Sequence, residues 1–495
     1  MAFKFHSFSV LRRASSCLTK EILTCRARTV ASRARIQGNA FLSIRSTPFF
    51  QFHRLQTTQV PRHATSPIEA ANISRVRAKT SFPSTSSKQV GYWLIGSAVS
   101  VFGIVVFGGL TRLTESGLSI TEWRPVTGSL PPFNPEQWEA EFTKYRSSPE
   151  FARLNPRMTL EEFKQIYWME WTHRLWGRII GVTFLLPTIY FIARRKVTKP
   201  TAWKLTGICG LIGFQGFLGW WMVKSGLKDD LFAEGAHPRV SQYRLTAHLG
   251  TAFIVYASML LTGFSILREH RFLRNPEAAL THISALQSPR LRTFRLLATA
   301  LTALIFTTAM SGALVAGLDA GLIYNEFPYM GVGLAPPRAE LFDTFYSHTA
   351  DHSDVVWRNA LENPSLVQLD HRLLATATFA AVLAFFAAAR SRRLRAALPK
   401  DVRRGVTGVL HLATLQVLLG ISTLIYMVPT WLAAGHQAGA LALLTGALVL
   451  RARLRVSSRT LAVLRRAVET RVGAGPAALR TGVGKAAGTL EQRVV

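Results

Sequence analysis

Long apolar windows recur along the chain, separated by polar intervals. Eight of them, near 90–111, 171–193, 203–223, 244–267, 294–318, 367–390, 405–427 and 431–450, are long enough to cross a membrane, since a helix needs about 20 apolar residues to span the hydrocarbon core. In lipid the backbone must satisfy its own polar groups, so a span is a helix or part of a closed barrel. These windows are apolar on every side rather than alternating, which is the helical pattern. An all-α integral membrane protein with eight transmembrane helices is expected.

The intervals between windows alternate in charge. Residues 194–204 hold five Lys/Arg and no acid, 268–295 hold six against two, and 390–404 hold seven against one. The other set is acidic: 112–170 hold seven basic against nine acidic residues, and 319–370 two against eight. The positive-inside rule puts the basic loops and both termini on one side and the acidic loops on the other.

Composition names the compartment. The first 85 residues are rich in Arg, Ser and Thr, with 14 Lys/Arg against only Glu21 and Glu69, and contain no apolar window. That is the make-up of a mitochondrial presequence. The expected location is the mitochondrial inner membrane, with both termini in the matrix and the acidic loops in the intermembrane space. A formal net charge of +32 would suit nucleic acid, but much of it lies in residues 1–85 and in 451–495, where 10 Lys/Arg face two acids. The remainder sits in membrane-facing loops, so the lipid bilayer is the expected partner and nucleic acid is not. Cys17 and Cys25 would leave with the presequence, and Cys209 stands alone in a span, so no internal disulfide is expected.

The first four windows resemble the last four. Gly108–Trp123 aligns without gaps on Gly312–Phe327 with five of sixteen positions identical, Glu115 falling opposite Asp319 and Trp123 opposite Phe327. Paired prolines follow each copy, Pro131-Pro132 and Pro336-Pro337, and Phe214–Gly219 answers Leu415–Gly420. Four spans per unit leave both units with the same orientation, which makes this a parallel duplication. Two tandem, pseudo-twofold-related four-helix bundles are expected, covering 86–275 and 276–452, with a basic matrix tail over 453–495. Gly207, Gly210, Gly213, Gly216 and Gly219 recur every third position in the third span and read as sites of close helix approach.

Four histidines stand at the outer starts of the even-numbered spans: His173, His248, His371 and His436. Ionisable groups inside a membrane are costly and default to functional readings. Two imidazoles from facing helices can ligate haem iron axially, and that reading leads over structural histidines. Zinc would want three or four ligands, which no local cluster supplies. His411 reads as an interfacial histidine, and His348 and His352 as solvated loop residues. Arg174 and Arg372 follow His173 and His371 directly, so each points about 100° away on its helix. Pairing with haem propionates near the interface competes there with pairing to loop acids or snorkelling to headgroups.

The halves differ at one position. Glu170 lies three residues before His173, and Gln368 three before His371. The i to i+3 spacing puts each on its histidine's face. A carboxylate can exchange protons and an amide cannot, which places reaction in the N-terminal bundle and an electron-transfer haem in the C-terminal one. The plain alternative is a structural Glu170–Arg174 ion pair. Glu115, Glu122, Asp319 and Glu326 read as loop-capping acids.

Gly108–Pro132, Glu170-Trp-Thr-His-Arg174, Gln215–Leu227, His248, Asp319–Phe327, Asp370-His-Arg372 and His436 together resemble the haem A synthase family, over roughly residues 90–450. The resemblance implies an enzyme that oxidises the C8 methyl of haem O to a formyl group, by successive hydroxylations to a gem-diol that loses water. It implies that His173 and His248 hold the substrate haem, that His371 and His436 ligate a haem b cofactor, and that Glu170 is catalytic. A ferredoxin and ferredoxin reductase are the implied electron donors, with haem O synthase and further copies of the chain as candidate partners. Some bacterial members carry a cysteine pair in an outer loop, and the corresponding loops here have none. Two other functions share the fold and the histidines: a dihaem b-type cytochrome that oxidises quinol, and a non-catalytic haem carrier or assembly factor.

Overall fold

The computed structural model describes residues 81–124 and 127–473. Nearly all of the expected presequence, including Cys17 and Cys25, and the end of the tail lie outside the described residues. In chain order the main helices are α1 (Lys88–Leu113), α2 (Pro135–Arg146), α3 (Pro149–Arg153), α4 (Leu160–Ala193), α5 (Lys199–Ser225), α6 (Gln242–Phe272), α7 (Pro276–Gln287), α8 (Arg292–Gly317), α9 (Val355–Glu362), α10 (Pro364–Arg390), α11 (Lys400–Ile425), α12 (Thr430–Leu454) and α13 (Ser458–Gly473). Eight are long and apolar enough to cross a membrane: α1, α4, α5, α6, α8, α10, α11 and α12. The described residues contain no strand beyond one isolated bridge between Met330 and Gly333.

Local chemistry sets the helix starts. Asn134, Ser148, Thr198 and Asn363 each accept a backbone N–H as N-cap, with proline in the first turn behind them, where its missing donor and fixed φ do no harm. Helix α4 opens on a capping box: Glu162 donates its backbone N–H to Thr159 Oγ1 at 3.3 Å, and Glu162 Oε2 accepts from Thr159 N at 2.9 Å. The cap carries the helix out to Leu160, whereas hydropathy alone started the span at 171. His173 therefore sits well inside a helix rather than at its entrance.

The spans pack as two rings joined along a seam. Helix α1 packs on α4 and α6, and α5 closes the first ring between them; α8 packs on α10 and α12, and α11 closes the second. Contacts of α6 with α8, α1 with α12 and α6 with α12 make the seam. There Gln437 Nε2 donates to the Val105 carbonyl at 2.8 Å, and the Tyr256 and Thr445 hydroxyls meet at 2.7 Å. At one end of the seam, Arg112 Nη2 of the first half grips both oxygens of Asp319 in the second, at 2.7 and 2.8 Å.

The duplication is visible in the backbone itself. Glu115 and Asp319, opposite one another in the gapless alignment, both adopt left-handed conformations, with φ of 51° and 53°. Non-glycine residues rarely do so. The same turn thus ends α1 and α8.

Close helix approach is found away from the glycine run of the third span. A Cβ added at Gly207, Gly210, Gly213 or Gly216 would meet nothing within 4 Å, which corrects the close-approach reading for these four. Helix α5 closes its ring from the outside, and only 11% of its apolar window is buried. The tight crossing is instead between α1 and α6: a Cβ on Gly263 would lie 2.9 Å from the Gly91 carbonyl oxygen and 3.0 Å from Leu94 Cβ. On the opposite side from the capped loops, α13 packs on α7 through Ala279, Ile283 and Leu464, with Thr460 Oγ1 donating to Glu269 at 3.0 Å. Part of what composition showed only as a basic tail is thus a docked helix.

Replacing Gly263 by Val forces α1 and α6 apart and should lower stability by about 1–3 kcal/mol. Gly96, whose Cβ position is open, should accept Val within about 0.5 kcal/mol. Thermal unfolding of the purified chain in detergent checks both; equal melting temperatures would show slack at the crossing.

Candidate active site

Glu170 is 3% exposed and sits at the junction of α4 with the loop that follows α1. Its Oε1 accepts from Arg174 Nε at 3.0 Å and Nη2 at 2.7 Å. Its Oε2 accepts from Ser119 Oγ and from the Ile120 backbone N–H, both at 2.7 Å. The simple i,i+4 ion pair is therefore present, but it is half of a larger arrangement in which both oxygens accept only from donors. Arg174 continues outward, donating to the Ile120 and Glu122 carbonyls at 2.8 and 3.0 Å. One carboxylate and one guanidinium together strap the loop over the helix that bears His173.

All four histidines lie on the second helix of a neighbouring pair, each ring set against a glycine of the preceding span. A Cβ at Gly108 would stand 2.7 Å from His173 Cε1, and one at Gly219 3.5 Å from His248 Cε1. In the second half the distances are 3.1 Å from Gly312 to His371 and 2.9 Å from Gly420 to His436. At Gly108 and Gly420 only glycine leaves room for rings so placed; Gly312 leaves little more, and at Gly219 the contact is an ordinary one. Behind two of them an amide pins the helix: Gln215 Nε2 donates to the His248 carbonyl at 3.0 Å, and Gln416 Nε2 to the His436 carbonyl at 2.7 Å. The alignment of Phe214–Gly219 with Leu415–Gly420 held that signal, although it gave no role for the glutamines.

His371 and His436 face each other with ring centroids 6.5 Å apart and planes at 90°. A bond of about 2 Å from each nitrogen to a shared metal, plus the reach of each ring, calls for a spacing of roughly this size, so the pair fits axial ligation of a haem. His371 Nδ1 hydrogen-bonds Ser311 Oγ at 2.8 Å, which leaves Nε2 for a metal. The Nδ1 atoms of His173, His248 and His436 are buried without a protein partner. Among the described residues no group of three or more His, Cys, Asp or Glu gathers as a metal cluster.

The second half repeats the strap without the carboxylate. Arg372 donates to the Tyr324, Glu326 and Tyr329 carbonyls at 3.0, 3.0 and 3.1 Å, and Tyr324 and Glu326 align with Ile120 and Glu122. Gln368, 3% exposed, donates its amide to the Tyr324 carbonyl at 3.1 Å. Its Oε1 and the Nε of Arg372 are both buried without a partner. These two atoms stand where Glu170 and Arg174 bond in the first half.

The loop acids Glu122, Asp319 and Glu326 hold loops. Glu122 pairs with Lys144 at 3.1 Å and with Arg124 at 2.5 Å, Glu326 accepts from Gly331 N at 2.6 Å, and Asp319 clamps the seam. His411 is exposed on α11, His352 is exposed in its loop, and His348 lies 3.6 Å from Glu362 with an exposed side chain. Ser119 was not legible as a site residue; its only mark is that it faces Ile323 in the repeat.

Fold and site define a duplicated, multi-pass helical membrane protein with paired intramembrane histidines and one carboxylate network. Over residues 91–448 the chain matches the family described as cytochrome oxidase assembly protein, and it belongs to that family. It is 46% identical over 452 residues to Heme A synthase COX15 of Saccharomyces cerevisiae, covering 91% of this chain and 92% of the relative. It is 44% identical over 391 residues to Heme A synthase COX15 of Homo sapiens, covering 79% and 88%. It is also 50% identical over 374 residues to a heme A synthase–mitochondrial ferredoxin fusion protein of Schizosaccharomyces pombe, covering 74% of this chain and 60% of that one.

Arg174→Ala removes charged hydrogen bonds worth about 1.5–3 kcal/mol each. Amide exchange in the 115–124 loop should accelerate at least about tenfold, with the 319–330 loop unchanged. Arg372→Ala should do the reverse. Hydrogen exchange by mass spectrometry reads both, and equal rates in wild type and variant would refute the strap.

Proposed function

We infer that the chain is a haem A synthase, an oxidoreductase acting on haem O as a multi-pass mitochondrial membrane protein. The observation that carries the mechanism is the one-sidedness of the carboxylate: Glu170 with its four donor contacts in the first half, Gln368 in the second. Substrate haem O belongs in the N-terminal bundle, held by His173 and His248, with its C8 methyl presented to Glu170. Oxidation to the formyl level breaks C–H bonds at that carbon, and loss of water from the gem-diol moves O–H protons. Glu170 takes up protons there or, as a fixed negative charge, stabilises positive charge developing at the carbon. Either role needs a carboxylate.

In the C-terminal bundle His371 and His436 would hold haem b, which supplies electron transfer when bound. Arg372 keeps a buried, unpartnered Nε suited to an anionic group such as a propionate. Arg174, whose donors already serve Glu170 and the loop, acts chiefly as the strap. The relative fused to a ferredoxin supports an electron donor of that class. The basic loops at 194–204, 268–295 and 390–404 offer a docking face for a donor of net negative charge. In this arrangement the membrane is the inner one and the basic loops and both termini face the matrix.

Glu170→Gln should lower conversion of haem O to haem A by at least about 100-fold without emptying the C-terminal site. Gln368→Glu should leave conversion within a few-fold. Extraction and chromatography of the pigments from purified variants decides it. Formyl-haem production at wild-type level by Glu170→Gln would sink the mechanism, and a wild-type chain that binds haem O without converting it would point to a carrier or a dihaem cytochrome.

A further inference from the structure

We propose that Glu150 is the proton-holding partner of Glu170, so that two carboxyls rather than one serve the site from its outer side. This rests on the role given to Glu170 above. Glu150 lies in the first turn of α3, a position where an acid ordinarily faces water and the helix N-terminus. Here it is only 4% exposed. It is enclosed where α3 joins the aromatic cap of Phe142, Tyr145, Phe163 and Tyr167, under the outer loops. Its Oε2 is buried and without a partner, and the Tyr145 hydroxyl, itself accepting from Asn155 Nδ2 at 3.0 Å, reaches the carboxyl.

The charges around it favour a neutral acid. Among the described residues no Lys or Arg forms an ion pair with Glu150. Arg112, whose charge favours the ionised form of Glu150, grips Asp319 instead. Lys144 and Arg146 of α2 pair with Glu122, Glu141 and Glu139. Asp229 and Asp230, on the turn that packs against α3, are exposed, as is Arg153 of α3 itself. From α4 comes the charge of Glu170, and from the loop after α1 that of Glu115. Burial above all, then Glu170, pushes the Glu150 carboxyl up to about 8, against weaker pulls from Tyr145 and Arg112. An unpaired buried carboxylate is costly enough that the group keeps its proton.

Glu170 is the opposite case, with every contact a donor. The charge of Glu170 is felt at Glu150, and Glu150, which has no ion-pair partner among the described residues, is the one that holds a proton. When Glu170 takes a proton from the reacting substrate, the O–H bond of Glu150 breaks and its proton leaves to the outer water. Glu170 then passes its proton to the Glu150 carboxylate, an O–H bond breaking at one and forming at the other. The pair ends as it began, with one proton and one charge.

Infrared titration of the full chain in lipid nanodiscs tests this. Near neutral pH the wild type should show a protonated-carboxyl stretch that fades as pH rises through about 8. The band should be missing in Glu150→Gln and present in Glu170→Gln. Conversion of haem O by the wild type should rise over the same range, because ionised Glu150 is ready to accept the proton of Glu170. Glu150→Gln should lose that rise and run about tenfold slower. A wild type without the band, a band that survives in Glu150→Gln, or an unchanged pH profile in that variant overturns the proposal. Normal conversion by Glu170→Gln with the band intact would end the relay differently, by removing its acceptor.

Discussion

Four imidazoles are pressed against four glycines inside a lipid-embedded bundle, and the rest of the architecture follows from keeping them there. A ring this polar is tolerated at such depth only if its position and its partner are fixed. Position comes in part from the missing side chains at Gly108, Gly312 and Gly420. Behind His248 and His436, an amide from the neighbouring helix grips the backbone. The 6.5 Å separation of His371 and His436 is thus fixed by helix packing rather than by the two rings touching. Two closed rings of helices, welded along α1, α6, α8 and α12, give the rigidity that such spacing needs.

Duplication supplied two copies of that device, and divergence acted around the rings rather than on them. The left-handed turn, the guanidinium strap and the glutamine pin recur at aligned positions. What differs is the acceptor beside the first histidine of each half. A carboxylate in the first half gathers a hydroxyl, a backbone amide and a guanidinium; an amide in the second turns its donor to a carbonyl and leaves its oxygen idle. On the function proposed above, chemistry on the substrate haem belongs in the half where proton traffic is feasible.

Much of this was legible in the sequence because the membrane imposes blunt rules. Span number and duplication follow from apolar length and from a gapless sixteen-residue alignment. The histidines stood out because lipid makes them expensive. Other features hid for physical reasons. Hydropathy cannot see that Thr159 and Glu162 start α4 before the apolar run, because capping is a hydrogen-bond effect. A glycine period reads the same whether its face meets a helix or open space, so the run on α5 misled while Gly91 and Gly263 passed unnoticed. Glu150 is one of nine acids in 112–170, and nothing in the local sequence reports that it will be buried.

The idle oxygen of Gln368 and the idle Nε of Arg372 carry an evolutionary implication. Trading that amide for a carboxylate takes a single nucleotide change and would complete the contact found in the sister half. The second bundle is therefore one step from an acidic pocket beside His371 and His436, and on the function proposed above an amide at this position would keep a haem held there from becoming a target of the chemistry next door.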